Sequence, residues 1–284
     1  MLPVDKPAGP TSHDAVAIAR RALGTRRVGH TGTLDPFASG LLLLCVGPAT
    51  RVAEYLSGLP KTYQAVLRLG EQTDTDDRTG TVIAASDVWR TLSRQQVAEA
   101  LERRGGRQWQ VPPGYSAKKV AGERSYQRAR RGESLTPGPV QVTVESIRLT
   151  SWDPPFAGFE TTCSTGTYVR AIARDVGIDL GACAHLVELR RSAIGPHSVS
   201  TAIPLQVLQE SAFQGRLLSA LEALSHLPRL DVDDVSATAI GHGRAIPVPA
   251  GFNAAAAMVV WQGTLLAIGA ARDGRLQPAK VFDA

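Results

Sequence analysis

The spacing of apolar residues changes repeatedly along the chain, and each change marks an element. Ala15, Ile18, Ala19 and Ala22 recur at helical spacing, Ser12 stands at the N-cap position before them, and Gly24 supplies the stop, so a first helix is predicted there. A second is predicted over 93–104, where Ser93 and Gln96 have capping-box spacing and Gly105-Gly106 ends the run. Residues 63–69 and 140–149 alternate apolar with polar, the pattern of half-buried strands. Residues 167–176 carry Val169, Ile172, Ala173 and Val176 on one helical face, and Leu217, Leu218, Leu221 and Leu224 predict a fourth helix. Strands mixed irregularly with helices, without strict βα alternation, predict an α+β fold.

From about Pro228 the pattern turns to short apolar runs separated by Gln262-Gly263 and Asp273-Gly274, both hairpin signals. The expected division is therefore a large domain over 1–227 and a small all-β unit over 228–284. The purely apolar run over residues 41–46 is far too short to span a membrane. No basic region followed by an apolar stretch opens the chain, so no signal peptide is expected. Cys45, Cys163 and Cys183 form no CxxC pair, and a reducing, cytoplasmic setting is the expectation.

Charge sharpens this picture. The chain carries +5 overall, but residues 103–131 alone hold nine Lys or Arg against one acid, Glu123, leaving the remainder acidic. Lys118, Lys119, Arg124, Arg128, Arg130 and Arg131 are its dense part, and Trp109, Tyr115 and Tyr126 are interleaved. Basic groups among aromatics suit a nucleic acid whose bases can stack. A solvated, charge-rich loop has the same composition.

Candidate chemistry concentrates in Gly29-His30-Thr31-Gly32-Thr33-Leu34-Asp35-Pro36-Phe37-Ala38-Ser39-Gly40. The glycines let backbone approach a ligand, and Asp35 is the one acid, placed to act as nucleophile or general base. Asp followed by Pro is equally the signature of a helix N-terminus. Arg170 and Arg174 lie four apart on the third helix: either a solvated pair or a cation able to hold a carboxylate ionised. Tyr63, at a strand start, is either packed or a stacking platform. Residues 71–80 read as a polar turn, since the glycine and terminal Glu of a calcium loop are missing. No phosphate-binding loop, dinucleotide fingerprint, GxSxG or HExxH is present, and the six histidines are scattered. ATP, nicotinamide and metal chemistry are disfavoured.

Together these segments resemble the TruB family of bacterial tRNA pseudouridine synthases. Val4-Asp5-Lys6-Pro7-Ala8-Gly9 with Thr11-Ser12-His13-Asp14 is similar to its first motif, and Gly29 to Pro36 to its catalytic motif. Lys61-Thr62-Tyr63 with Leu69-Gly70 and Thr73-Asp74-Thr75, Ser164-Thr165-Gly166-Thr167-Tyr168-Val169-Arg170, and Leu189-Arg190-Arg191 follow in family order. Pro3 and Pro10 depart from the usual pattern, away from the chemistry. The resemblance implies a pseudouridine-synthase core, a mixed, largely antiparallel sheet with flanking helices and an RNA-clamping insertion at about 104–137, plus a small C-terminal PUA-like domain.

It further implies conversion of the T-loop uridine of tRNA (U55, in the TΨC arm) to pseudouridine by base flipping, with Asp35 as the catalytic carboxylate. Arg170 would pair with Asp35, Tyr63 would stack on the base and Leu189 would line its pocket. His30 would pack where the flipped nucleotide leaves its loop, and Lys6 and Tyr168 would support the site. No cofactor, metal or obligatory protein partner is implied, and a monomer is expected. Three alternatives remain at this level: a non-catalytic RNA-binding or tRNA-folding protein on the same fold, an RNA-guided relative, and a nucleoside hydrolase that would release free uracil.

Overall fold

A computed structural model describes residues 1–114, 119–120, 123–124, 138–209 and 217–282. Strand β1 (Leu2–Lys6) leads into helix α1 (Ser12–Ala22). Thr11, not the expected Ser12, is its N-cap: the Thr11 hydroxyl accepts from the Asp14 amide, and the Asp14 carboxylate accepts from the Thr11 amide. Ser12 is thereby free to turn inward, where its hydroxyl accepts from the Leu34 amide at 2.9 Å. The first helix is thus tied to the residue preceding Asp35.

Strand β2 (Val28–His30) is followed by a turn and β3 (Ser39–Val46), the short helix α2 (Ala53–Ser57) and β4 (Lys61–Leu69). A hairpin of β5 (Glu71–Thr73) and β6 (Val82–Ala85), helix α3 (Arg94–Glu102) and β7 (Gly106–Gln110) come next. Of the basic segment, the two-residue strands β8 (Lys119–Val120) and β9 (Glu123–Arg124) pair antiparallel, Lys119 opposite Arg124. Lys118, Arg128, Arg130 and Arg131 lie outside the described residues. The long hairpin β10 (Val140–Asp153) and β11 (Phe156–Cys163), helix α4 (Val169–Asp179), β12 (Ala184–Ile194), β13 (His197–Ser198) and β14 (Ile203–Pro204) complete this half.

Ten strands form one sheet in the order β14-β1-β3-β12-β4-β11-β10-β7, with β2 on β3 and β13 on β12. Only β1–β14 and β3–β12 are parallel, so the mixed, largely antiparallel α+β core expected from the sequence is the one found. Strand β4 alternates along its whole length. Tyr63, Ala65, Leu67 and Leu69 pack with Ile172, Ala173 and Val176 of α4 and Val97 and Leu101 of α3, while Gln64 faces solvent. Pro3 is tolerated because β14 reaches only Val4 and Asp5 of β1.

The parallel contact between β3 and β12 is short, Ser39 opposite Arg190 and Gly40 opposite Arg191. Gly40 has φ +107°, and a Cβ there would sit 2.2 Å from the Arg191 carbonyl oxygen. Gly40→Ala combines a left-handed conformation with a backbone clash and is expected to destabilise the fold by at least ~2 kcal/mol, measurable by denaturant unfolding.

Downstream, the predicted fourth helix shrinks to one turn, α5 (Ala220–Ala223), capped by Ser219 with Glu222. Leu224 is buried and Leu217 exposed; a single turn cannot keep both on one face. A second sheet follows from β15 (Arg229–Asp231), β16 (Ile246–Pro247), β17 (Ala254–Trp261), β18 (Thr264–Arg272) and β19 (Arg275–Val281), ordered β15-β17-β18-β19-β16. Gln262-Gly263 and Asp273-Gly274 make its two tight turns, all four residues at positive φ, the geometry that matches strand twist. The tail is not all-β: helix α6 (Asp234–Gly241), capped by Asp233, inserts Ala237 and Ile240 among its strands. Two turns of small residues gave too little periodicity to announce it. Met258, Val260 and Ile268 share one apolar cluster with Leu41, Leu43 and Ile194, which docks this sheet on the first.

Candidate active site

Asp35 does not start a helix. Residues 35–38 form a turn closed by the Ala38 amide on the Asp35 carbonyl at 3.1 Å, delivering the chain into β3. The helix N-cap alternative is therefore excluded. Because β3 pairs with β12, and β12 pairs with β4 so that Arg191 lies opposite Tyr63, the turn is brought beside Tyr63 although no β3 residue touches β4 in register. Below the turn, the fully buried Lys6 donates from Nζ to the carbonyls of Pro7 (2.8 Å), Pro10 (2.9 Å) and Ala38 (2.7 Å). Burial and the neighbouring Arg191 lower its pKa to about 8; the three carbonyl oxygens are matched to the ammonium form.

A cavity of about 220 Å³ opens here, lined by Asp35, Tyr63, Leu189, Arg170, Arg191 and Lys61 and walled on one side by residues 164–169. Among the described residues Asp35 is the only acid in this lining. Arg170, its side chain 5% exposed, meets Asp35 through Nε at 3.0 Å and Nη2 at 3.3 Å. Its Nη1 meets the Asp77 carboxylate at 3.2 Å and the Thr75 carbonyl at 2.9 Å. One guanidinium thus bridges two carboxylates, one facing the cavity and one behind it. Burial raises the Asp35 pKa; Arg170 opposes that shift and Asp77 adds to it. Burial also raises the Tyr63 pKa, against the pull of Arg191, so its hydroxyl stays neutral. The cavity therefore presents one carboxylate, paired with a cation, beside a flat ring and an aliphatic side chain. Such a surface accommodates a planar base and places charge beside its sugar.

The chain is similar to known proteins over nearly its whole length. The model of the family described as TruB family pseudouridylate synthase (N terminal domain) matches residues 20–169. The chain is 41% identical to tRNA pseudouridine synthase B of Thermobifida fusca (strain YX), over 98% of this chain and 97% of the relative. Against tRNA pseudouridine synthase B of Geobacillus thermodenitrificans (strain NG80-2), identity is 37% over 99% of each. The chain belongs to the TruB family of pseudouridylate synthases. Among solved structures, one titled a Cbf5-Nop10-Gar1 complex superposes with TM-score 0.77 at 25% identity, covering 99% of this chain and 84% of that one. Its breadth shows that the fold similarity extends through the second sheet.

Within this TruB-family chain, Asp35, Tyr63, Tyr168, Arg170 and Leu189 meet around one cavity. Lys6 lies beneath it. His30 is outside the lining: it pairs with Leu44 across β2–β3 and packs edge-on against His13, ring centroids 5.7 Å apart. Burial lowers its pKa. Several groups at the site were not anticipated. Asp76 and Asp77, read as part of a polar turn, are buried, and Arg174 Nη1 meets Asp76 at 2.9 Å. Two successive acids matching two arginines four apart on a helix was the available signal. Arg191, 1% exposed, donates from Nε to Leu41 O (2.8 Å) and from Nη2 to Gly32 O (3.0 Å), fastening the loop that carries Asp35. Lys61 donates to Ser57 O and Leu59 O, both at 2.7 Å.

Proposed function

We propose that this chain isomerises the T-loop uridine of tRNA (U55) to pseudouridine, with Asp35 as the catalytic carboxylate. The observation that carries the reading is that the sole acid lining the cavity among the described residues is held by a buried arginine next to Tyr63 and Leu189. In the reaction the bond from the sugar C1′ to N1 breaks, the uracil turns, and C1′ bonds to C5. The proton lost from C5 is balanced by one gained at N1, so nothing is oxidised and no outside group is transferred. That balance needs no cofactor. It needs a carboxylate at the nucleoside, a cation to keep it ionised, and an enclosure that retains a detached base. In this reading Asp35 supplies the first, Arg170 the second, and Tyr63, Leu189 and the 164–169 wall the third.

The target base must leave its stacked loop before it reaches the cavity, which costs a few kcal/mol that contacts elsewhere must offset. We assign those contacts to the basic segment at about 104–137, with Lys118, Lys119, Arg124, Arg128, Arg130 and Arg131 as phosphate partners, and to residues 228–284 as a PUA-type unit beside a catalytic domain of residues 1–227. His30 then lies near the exit path of the flipped nucleotide. The relatives named tRNA pseudouridine synthase B support tRNA as the substrate, and the basic segment supports recognition without an obligatory protein partner. Among the described residues no helix is long and apolar enough to cross a membrane.

Two measurements test this. Tritium release from an unmodified tRNA transcript carrying 5-labelled uridine is expected, with product only at the T-loop position; release of free uracil instead would make the enzyme a hydrolase. Reversing four charges between Lys118 and Arg131 is expected to weaken tRNA binding and to lower the slope of log affinity against log salt by ~0.7–0.9 per lost phosphate contact. Unchanged affinity would remove the segment from RNA binding.

A further inference from the structure

The cavity wall formed by residues 164–168 is held at both ends. At one end the Ser164 amide donates to Thr143 O (2.8 Å) and the Thr143 amide donates to Ser164 Oγ (2.9 Å), anchoring the wall to β10. At the other end stands Tyr168, the N-cap residue of α4, whose own side chain makes no cap. A side chain from a different element does the work. Gln110, the last residue of β7 and 2% exposed, accepts from the Tyr168 amide at 2.8 Å and donates from Nε2 to the Tyr168 carbonyl at 3.1 Å. A primary amide is the one uncharged side-chain group that offers a donor and an acceptor in the spacing of a peptide. The next residue extends the seam: Val111 O accepts from Arg174 Nη2 at 2.9 Å, while Arg174 Nη1 holds Asp76.

The end of β7 and the residue after it therefore grip α4 at its N-cap residue and again six residues on. Between those two points lies Arg170, two residues from Tyr168. A buried two-bond clamp at this place fixes where the helix begins, and so fixes how far Arg170 reaches toward Asp35. We propose that Gln110 is a positioning residue for the isomerisation, holding the Tyr168 peptide so that the cavity wall and the Arg170 guanidinium stand in register with Asp35. This rests on reading Asp35 and Arg170 as the reacting acid and its partner. Without Gln110 the Tyr168 amide loses its acceptor and the Tyr168 carbonyl keeps the Ile172 amide at 3.2 Å, the helix start is free to shift, and the pair moves out of alignment.

The test separates chemistry from binding. Gln110→Leu keeps the volume and removes both bonds; its single-turnover rate on a full-length tRNA transcript is expected to fall about 100-fold, the effect of a misplacement near 1 Å, with tRNA affinity close to wild type. Gln110→Glu keeps the acceptor and loses the donor, and is expected to fall about tenfold. If the clamp acts through Arg170, its loss adds less than about threefold on an Arg170→Lys background, because coupled sites are not additive. A wild-type rate in both Gln110 variants, or full additivity with Arg170→Lys, overturns the proposal. Should circular dichroism show Gln110→Leu unfolded, the rate of Gln110→Glu and its cycle with Arg170→Lys decide by the same criteria. An active Asp35→Asn enzyme would instead remove the underlying reading, whereas an inactive Asp35→Asn beside wild-type Gln110 variants removes this proposal alone.

Discussion

Asp35→Asn is expected to abolish pseudouridine formation, by on the order of 10⁴-fold or more in single-turnover rate, while tRNA binding persists. The substitution keeps the shape of the side chain and removes only its ability to carry charge or share an electron pair as an anion. Stability separates this from a structural effect. Burial raises the Asp35 pKa despite Arg170, which means that the charged form of this carboxylate carries a penalty in the fold relative to the unfolded chain. Removing the charge relieves that penalty, so the melting temperature of Asp35→Asn is expected to stay level or to rise. A lower melting temperature with activity retained would make Asp35 a structural residue. Trading stability for activity is what a functional acid does. A non-catalytic RNA binder would gain nothing from an acid facing a phosphate-rich ligand, and in that case the variant would behave as wild type.

What could be read before the fold was known depended on how local each signal was. The α3 capping box, the alternation of β4 and the two tight turns of the second sheet are each set within a few residues, and each stands where the sequence predicted. The start of α4 is different. Thr167 and Tyr168 continue the helical pattern, but Gln110, remote in sequence, takes the Tyr168 peptide into a pairing of its own, and the helix begins at Val169. Ser12 was misread as a cap for a related reason: two neighbouring hydroxyls can both cap, and the need of Leu34 for a partner decided which one turned inward.

The site followed the same division. Asp35 alone looked as much like a helix cap as a catalytic acid, and only the run of motifs pointed to the second reading. Asp77 could not be singled out, because a carboxylate in a Thr-and-Asp turn is solvated unless something buried needs it. Arg170 needs it. Long side chains buried on the inside of a sheet, such as Arg191 and Lys61, are likewise invisible to periodicity, which counts them as polar. Their pairing with backbone carbonyls depends on register between strands that lie far apart in the chain.

Arg170→Ala is expected to reduce turnover by about 10³-fold and also to destabilise the enzyme, by roughly 3–5 kcal/mol, the usual effect of removing one partner from a buried charge pair. Two carboxylates lose their cation at once. Asp77, its side chain 6% exposed, is left facing Asp35 with nothing between them. The pH profile tells electrostatics from geometry. Arg170 now pulls the Asp35 pKa down against burial and Asp77; once it is gone, those two raising influences are opposed only by the weaker pull of Lys6, and a larger fraction of Asp35 is protonated at any given pH. The acid limb of the rate profile therefore moves to higher pH, and part of the lost activity returns as pH rises. Arg170→Lys keeps a charge but not the fork that spans both acids, so its acid limb should fall between those of wild type and Arg170→Ala. If the Arg170→Ala profile were merely lower, with its acid limb unmoved, the arginine would serve to aim Asp35 and not to keep it ionised.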